Sequence, residues 1–529
     1  MGCMLDKIKD IEERRKQLHE GGGAAEIEKQ HSRTKLTVRE RLEKLFDKGT
    51  FIEDNLWVRS YTGSRELPAD SVVTGMGRIH DHPVFVYAHD FTVLAGTFGA
   101  GLHYKVSRTM TMARESGIPC IGVVDSGGER MGGGARSEES AGSALGGQSL
   151  YFLPMISSGV VPQITVMLGP SYAGSAYSPT MAGDFYIMRD KTAFMSVASP
   201  VLLKTVTFKD VTQEEIGGAE LHATTTGNAD FLTETDDEAI EICRELVSYL
   251  PSNYRESPPV VDTGDDPNRR DERLIEIVPS DLSKPYDMHD VIRCIVDNGR
   301  FLESAKLFAK SMIIGFGRLN GHTVGIVANN PAEDGGSLNT NTSDKEARFI
   351  RFCDCFNIPL VFLVDTVGFL PDGKDFYGKL EEQSGNGLLR TAAKATFAIC
   401  ESTVPKIVVH IGKCFGPALL AMGNIAMGVD FTYSWPSAQV ASMKPEEAVE
   451  SIYKEEIDSS ENPDEIRKEK LAELLEKYYN YPYLAAGEML VNDIIAPRDT
   501  RSLLIRTLEN LAYKKPTPRP WRKHSLIPK

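Results

Sequence analysis

The sequence has no cysteine pair spaced as CxxC, no apolar run approaching the roughly 20 residues that cross a bilayer, and no excess of basic charge. Each absence removes a class of function. The eight cysteines (Cys3, Cys120, Cys243, Cys294, Cys353, Cys355, Cys400, Cys414) are scattered, several of them in apolar runs, which argues against a disulfide framework and a zinc ribbon. A formal net charge of -15 disfavours nucleic acid, whose phosphates call for a basic face. The basic tail (Lys514, Lys515, Arg519, Arg522, Lys523, Lys529) reads as a solvated terminus. The N-terminus, MGCMLDKIKDIEERRKQ, lacks the apolar core of a secretory signal and has Asp6 where a myristoylation motif needs Ser or Thr. It reads as an exposed charged helix of an intracellular protein.

Familiar catalytic strings are missing as well. Gly169 to Gly174 has P-loop spacing but is followed by Ser175-Ala176 instead of Lys-Ser/Thr. Gly169-Pro-Ser171-Tyr-Ala173 is one glycine short of a nucleophile elbow. Asp125-Ser-Gly-Gly128 ends a buried strand, the wrong setting for a serine-protease string. His80-Asp-His82 reads as a turn, and Met443-Lys444 is followed by Pro445, against a biotinylated lysine. No metal is expected. Any chemistry is left to backbone donors.

What the sequence does have is a repeat. VPQITVMLGPSYAGSAYSP from Val161 returns as VPKIVVHIGKCFGPALLAM from Val404, 404 − 161 = 243 residues on. SGIPCIGVVDSGGE and FNIPLVFLVDTVGF match at an offset of 240, so that Asp125 pairs with Asp365 (365 − 125 = 240). Order and spacing persist, which means domain duplication. Runs such as CIGVVD, ITVML, LVFLVD and IVVHI alternate with helical segments such as YKVSRTMTMARE, the pattern of an α/β fold with mostly parallel strands. The Pro- and Asp-rich stretch Ser257 to Asp290 reads as the linker between halves, and Asp458 to Lys477, dense in Glu and Lys, as an exposed helix. With 529 residues the chain suits two large domains.

In both copies an apolar strand ends in glycine, small residues follow, and a helix begins: Gly169-Pro-Ser-Tyr-Ala-Gly-Ser-Ala and Gly412-Lys-Cys-Phe-Gly-Pro-Ala-Leu. The free N–H groups of a helix's first turn donate to developing negative charge. The sequence therefore offers two candidate oxyanion holes.

Seven ordered blocks make the chain resemble the carboxyltransferase subunits of biotin-dependent acyl-CoA carboxylases, the family of propionyl-CoA carboxylase β chains and the related acyl-CoA decarboxylase subunits. They are RERLEKLFDKGTF (Arg39 to Phe51), VVDSGGER, GPSYAGSAYSP, VTQEEIGGAELH (Val211 to His222), GIVANNP, ARFIRFCDCFNIPLVFLVD and PRDTRSLLIRTLE (Pro497 to Glu509). The resemblance runs from about Leu36 to the C-terminus. It implies a tandem duplication of two crotonase-like (ClpP/crotonase) domains: a charged helix and linker over 1–35, an acyl-CoA domain over 36–260 and a biotin domain over 261–529. It also implies a cytoplasmic homo-hexamer, with sites shared between the first domain of one protomer and the second of another.

The implied activity is carboxyl transfer between carboxybiotin on a separate carrier and the α-carbon of an acyl-CoA thioester, with one oxyanion on each substrate. The partners are a biotin carrier and a biotin carboxylase subunit, or the membrane subunits of a decarboxylase, in which case the chain lies peripheral to a membrane complex. Neither an ATP-dependent domain nor a biotinyl domain is read in the chain. Carried over by position, Ala173 and Gly174 hold the thioester oxygen, while Pro417 and Ala418, preceded by Gly416, hold the biotin oxygen. Ser126, Gly127, Gly128 and Arg130, with Lys105, line the CoA cleft, and Lys105 and Arg130 are the expected phosphate cations. Gly368 and Phe369 line the biotin cleft.

The sequence departs from the family at three places. Pro417 has no N–H, which leaves Ala418, aided by Leu419. Leu420 stands where short-chain carboxylases often carry an acid, and the loop from Gly368 to Lys394 is longer than usual. The alternative of another class is a biotin-independent crotonase-type hydratase, isomerase or thioester hydrolase.

Overall fold

Each half of the chain opens its sheet with a hairpin whose turn is written twice. His80 and Asp81 carry φ of 49° and 64°, Asn320 and Gly321 φ of 51° and 78°. Positive φ at both central residues makes a type I′ turn, whose twist suits the strands it joins. Those strands are Val72–Ile79 with His82–His89, and Met312–Leu319 with His322–Asn329. His80-Asp-His82 is thereby a turn entering a strand.

The computed structural model describes residues 3–62, 65–130, 146–370, 387–479, 482–515 and 525–528. Residues 371–386 of the loop expected to be long, and Arg519, Arg522, Lys523 and Lys529 of the basic tail, lie outside the described residues. The chain divides into two units, Met1–Ser257 and Pro258–Lys529.

Both units build the same sheet. In the first, His82–His89 is followed by parallel strands Cys120–Val124, Gln163–Met167, Phe185–Arg189 and Phe231–Thr233, with Ile52–Asp54 antiparallel on the opposite edge. In the second, His322–Asn329 is followed by Leu360–Thr366, Lys406–Phe415, Phe431–Ser434 and Asp493–Ile494, with Phe301–Ser304 antiparallel on the edge. A short side ladder completes each unit: Pro170–Tyr172 beside Phe194–Ser196, and Lys413–Phe415 beside Gln439–Ala441. The duplication expected from the repeat is present strand for strand.

Cys120–Val124, Gln163–Met167 and Leu360–Thr366 are buried at every position, because a parallel sheet is covered on both faces. In the first unit the helix Ala100–Ser116 lays Leu102, Val106, Met110 and Ala113 against Phe85 and Cys120. Each larger side chain buried in this way stabilises the unit by about 1.5–3 kcal/mol. Gly117 ends the helix in the left-handed conformation. The counterpart helix, Thr340–Cys355, starts at Asn339, whose side chain accepts the Thr342 N–H. Among the described residues no helix is long and apolar enough to cross a membrane.

The N-terminal segment is less separate than the sequence suggests. Helix Met4–His19 has no buried residue, as expected of an exposed charged helix. Gln30 and Lys35, however, are 4% and 5% exposed and reach a buried carboxylate, Asp125, at 3.2 and 2.7 Å. A boundary at residue 35 therefore cuts through the first unit's buried polar network. The network continues through Arg41, which donates to Asp125 (2.8 Å) and to Asp236 (2.8 Å), and Asp236 also accepts from Arg189 (2.6 Å).

Asp125 closes the strand Cys120–Val124, and its repeat mate Asp365 lies near the end of Leu360–Thr366. Gly169 and Gly412 lie against these carboxylates so closely that a Cβ on either would collide with them. The two aspartates differ in what compensates them. Asp125 has Lys35 and Arg41. Asp365 has neutral donors, the Tyr286 hydroxyl (2.8 Å) and the Lys413 N–H (2.9 Å), and no ion-paired cation among the described residues. Burial consequently pushes the Asp365 carboxyl up to about 6.

Two outcomes follow. Arg41→Met leaves two buried carboxylates short of a partner and lowers the urea unfolding midpoint of the first unit, by about 3–5 kcal/mol in stability. For Asp365 the unfolded carboxyl ionises near pH 4 and the folded one near 6. Between these values the folded state holds more protons, so its stability falls as pH rises. Asp365→Asn removes that part of the decline and stabilises the second unit at pH 7.5 by about 2 kcal/mol, read from unfolding midpoints at pH 4.5 and 7.5; an unchanged difference between the two pH values contradicts this.

Candidate active site

The turn after each side-ladder strand is built by one residue with positive φ. Ala173 has φ of 51° and donates its N–H to the Ser196 carbonyl at 3.0 Å. Gly416 has φ of 56° and donates to the Ala441 carbonyl, also at 3.0 Å. The left-handed conformation turns the chain out of the strand and into a helix: Gly174–Ala182 in the first unit, Pro417–Ala421 in the second. The carbonyl of each turning residue then accepts from the helix, Ala173 from Ala176 (3.0 Å) and Gly416 from Leu419 (3.1 Å).

The N–H groups that remain are those between. In the first unit Gly174 and Ser175 have no acceptor for their N–H among the described residues. The Ser175 hydroxyl stays local, donating to the Tyr172 carbonyl (2.7 Å) and accepting from the Tyr172 N–H (3.1 Å). In the second unit Ala418 alone has such a free N–H, because Pro417 has none and the Leu419 N–H is occupied.

Of the expected donors, Ala173 is the pivot of the turn with its N–H on the Ser196 carbonyl, and Leu419 has its N–H on Gly416. The N–H groups left without an acceptor at the first turn are those of Gly174 and Ser175. The sequence held the signal: the 243-residue offset carries Pro417 and Ala418 back to Gly174 and Ser175 (417 − 243 = 174; 418 − 243 = 175).

A second loop borders each turn, with the same design twice. Ser126 donates its hydroxyl to Gly96 O (2.7 Å) and accepts the Gly128 N–H (3.0 Å), while the Gly127 N–H donates to Ala95 O (2.9 Å). Gly128 has φ of 94°, accepts the Phe98 N–H (2.9 Å), and a Cβ on it would stand 4.0 Å from Tyr172. In the second unit Gly368 has φ of 106°, receives the Thr366 hydroxyl as acceptor for its N–H (3.1 Å), and accepts the Leu338 N–H (2.9 Å). Phe369 pairs with Leu338 as a parallel bridge. Leu420 is 45% exposed on the short helix after Pro417.

The two expected phosphate cations are both committed elsewhere. Lys105 is 2% exposed and donates to the carbonyls of Ala69 and Val72, and burial lowers its ammonium to about 8. Its repeat mate Lys345 does the same to Ala305, Phe308 and Met312 at 2.6–2.9 Å. Both lysines tie a helix to the base of its hairpin. Arg130 places its guanidinium on buried Asp70 (2.8 Å), Thr97 O (3.0 Å) and Ser71 Oγ (3.2 Å). It braces the Ser126–Gly128 loop with its charge neutralised by Asp70.

The structure also assembles a constellation that no motif announces. His103, fully buried, has Nδ1 at 2.7 Å from Ser149 Oγ. Its Nε2 lies 3.3 Å from Glu129 Oε1, within ion-pair distance but off the line of a formed hydrogen bond. Glu129 adjoins Gly128, and Leu150, next to Ser149, stands 3.0 Å from where a Cβ on Gly174 would be.

Comparison with known proteins agrees with this architecture. The carboxyl transferase domain family model matches residues 29–527. The chain is 42% identical over 531 residues to the propionyl-CoA carboxylase, carboxyltransferase subunit of Haloferax mediterranei, covering 99% of both chains. It is 39% identical to the methylmalonyl-CoA decarboxylase subunit alpha of Veillonella parvula, covering 100% of both. Among solved structures it is similar to the hexameric transcarboxylase 12S with methylmalonyl-coenzyme A bound, at a TM-score of 0.92 and 40% identity over 100% of this chain and 99% of that one. With its two crotonase-like domains and matched turns, the chain belongs to the carboxyl transferase domain family, that of the carboxyltransferase subunits of acyl-CoA carboxylases and decarboxylases.

Proposed function

We propose that the chain moves a carboxyl group between carboxybiotin on a separate carrier protein and the α-carbon of an acyl-CoA. The observation that carries this reading is the paired turn: two N–H donors at Gly174 and Ser175 in one unit and one at Ala418 in the other. Carboxyl transfer puts negative charge on two oxygens, that of the thioester and that of the biotin ureido ring, and a duplicated hole answers both. Free N–H groups at a turn held by a positive-φ pivot are already oriented, so they stabilise charge without reorganising when it develops.

In this reading Gly174 and Ser175 hold the thioester oxygen, and Ala418 holds the ureido oxygen. The Ser126–Gly128 loop and its counterpart at Gly368 and Phe369 form the walls beside the two turns. Bound biotin supplies the acceptor for CO2 and the base for the α-proton; the chain's part is to orient and to stabilise charge. Leu420, an apolar side chain 45% exposed beside the second turn, favours an acyl group without a cation. The partners are a biotin carrier and a biotin carboxylase subunit, or the other subunits of a decarboxylase, and the assembly is a homo-hexamer like the transcarboxylase 12S. The chain itself does not use ATP.

The test is incubation of the purified chain with malonyl-, methylmalonyl- and glutaconyl-CoA, with and without free biotin, following loss of the carboxyl group by mass spectrometry. Biotin-dependent loss is expected; enoyl-CoA conversion or free CoA release without biotin points to the hydratase or hydrolase class instead. A variant sharpens it. Pro417 shows that this turn accepts proline at its first helical position, so Gly174→Pro deletes one N–H from the first hole at the position where the second hole already lacks it. The expected loss in kcat for biotin-dependent decarboxylation is about 10²–10³-fold, with the far-ultraviolet circular dichroism unchanged. A rate within about threefold of the parent removes Gly174 from the hole.

A further inference from the structure

The second hole lacks one N–H donor, yet a cation stands at its edge. Lys444 is the N-cap of helix Pro445–Ile452. At the corresponding place in the first unit, Ser199 caps helix Pro200–Thr207 by accepting the Leu202 N–H. A lysine there offers no side-chain acceptor and sets a positive charge at the positive end of a helix. Capping does not account for it.

The position of the side chain does. Gly416 donates its N–H to the carbonyl of Ala441, and a Cβ on Gly416 would stand 3.5 Å from the carbonyl of Ser442. The segment from Ala441 to Lys444 thus runs beside the turn that carries Pro417 and Ala418. Lys444 then lays its end over Gly368: Cε and Nζ lie 3.7 and 4.0 Å from where a Cβ on that glycine would be. Gly368 is itself the counterpart of Gly128, which faces Tyr172 beside the first hole. Lys444 is half-buried, and its ammonium has no carboxylate within ion-pair distance among the described residues; the neighbouring Glu447 carboxylate accepts the Lys444 backbone N–H (3.3 Å) instead.

We infer that the Lys444 ammonium takes the place of the N–H that Pro417 cannot supply, donating a hydrogen bond to the ureido oxygen that Ala418 also holds. This rests on the carboxyltransfer reading above. Lys444 keeps its proton throughout. Carboxybiotin bound here would give up CO2 to the acyl-CoA and keep the electron pair of its N–CO2 bond on the ureido group, whose oxygen would be held by the Ala418 N–H and the Lys444 ammonium. A charged donor is about twice as strong as a neutral one, so a lysine is a sufficient substitute for the missing amide.

The test is a double-mutant cycle on the full chain, with methylmalonyl-CoA as donor and free biotin as acceptor. Lys444→Met is expected to lower kcat about 10²-fold with KM for methylmalonyl-CoA within about threefold, and Lys444→Arg to keep the rate within about tenfold. Pro417→Gly restores an amide donor, so in that background the loss caused by Lys444→Met shrinks to about tenfold or less. A Lys444→Met rate within about threefold of the parent, or the same loss in both backgrounds, overturns the role of Lys444 while the carboxyltransfer reading stands. A parent chain that transfers no carboxyl group to biotin overturns both.

Discussion

One hydrogen bond in each unit sets the geometry of the turn on which the proposed chemistry rests: the N–H of the positive-φ residue donating to the neighbouring side-ladder strand, Ala173 to Ser196 and Gly416 to Ala441. It fixes where the strand stops and the helix starts, and it decides which amides are left over. A helix has N–H groups without intrahelical partners at its start; here the preceding residue is pinned, so the unpartnered groups fall on defined positions. The rest of the fold serves this joint. The parallel sheet ends beneath it, the strand-end aspartates lie against glycines just before it, and the Gly128 and Gly368 loops stand beside it.

Duplication gives the two units one geometry and lets their chemistry diverge. Asp125 is held by cations from the N-terminal segment, whereas Asp365 is held by a phenol and an amide. The first turn carries a serine that satisfies its own loop, and the second a proline that removes a donor. The capping serine of one unit becomes a lysine in the other. The proposed function accounts for such divergence, since a thioester oxygen and a ureido oxygen differ in shape and in the groups around them.

The sequence made the architecture legible because parallel strands buried on both faces leave short β-branched runs, and duplication set those runs at constant offsets. The two turns that follow the side-ladder strands were legible as well, from the repeated glycines and small residues. That the Ala173 N–H is engaged was not legible, because its partner, Ser196, lies beyond the next helix and no local pattern announces the bond. Lys105 and Arg130 look in sequence like free cations near a cleft; only tertiary structure shows backbone carbonyls around one and Asp70 under the other. The Glu129, His103 and Ser149 contacts were invisible for the same reason, being long-range pairings of ordinary residues.

The most direct test of the central claim is a crystal structure of the protein with methylmalonyl-CoA bound. The account predicts the thioester oxygen at about 2.7–3.1 Å from the backbone nitrogens of Gly174 and Ser175, with the Ala173 N–H still on the Ser196 carbonyl. A thioester oxygen bound by the Ala173 N–H, with its bond to Ser196 broken, or one lying away from this turn altogether, would contradict it.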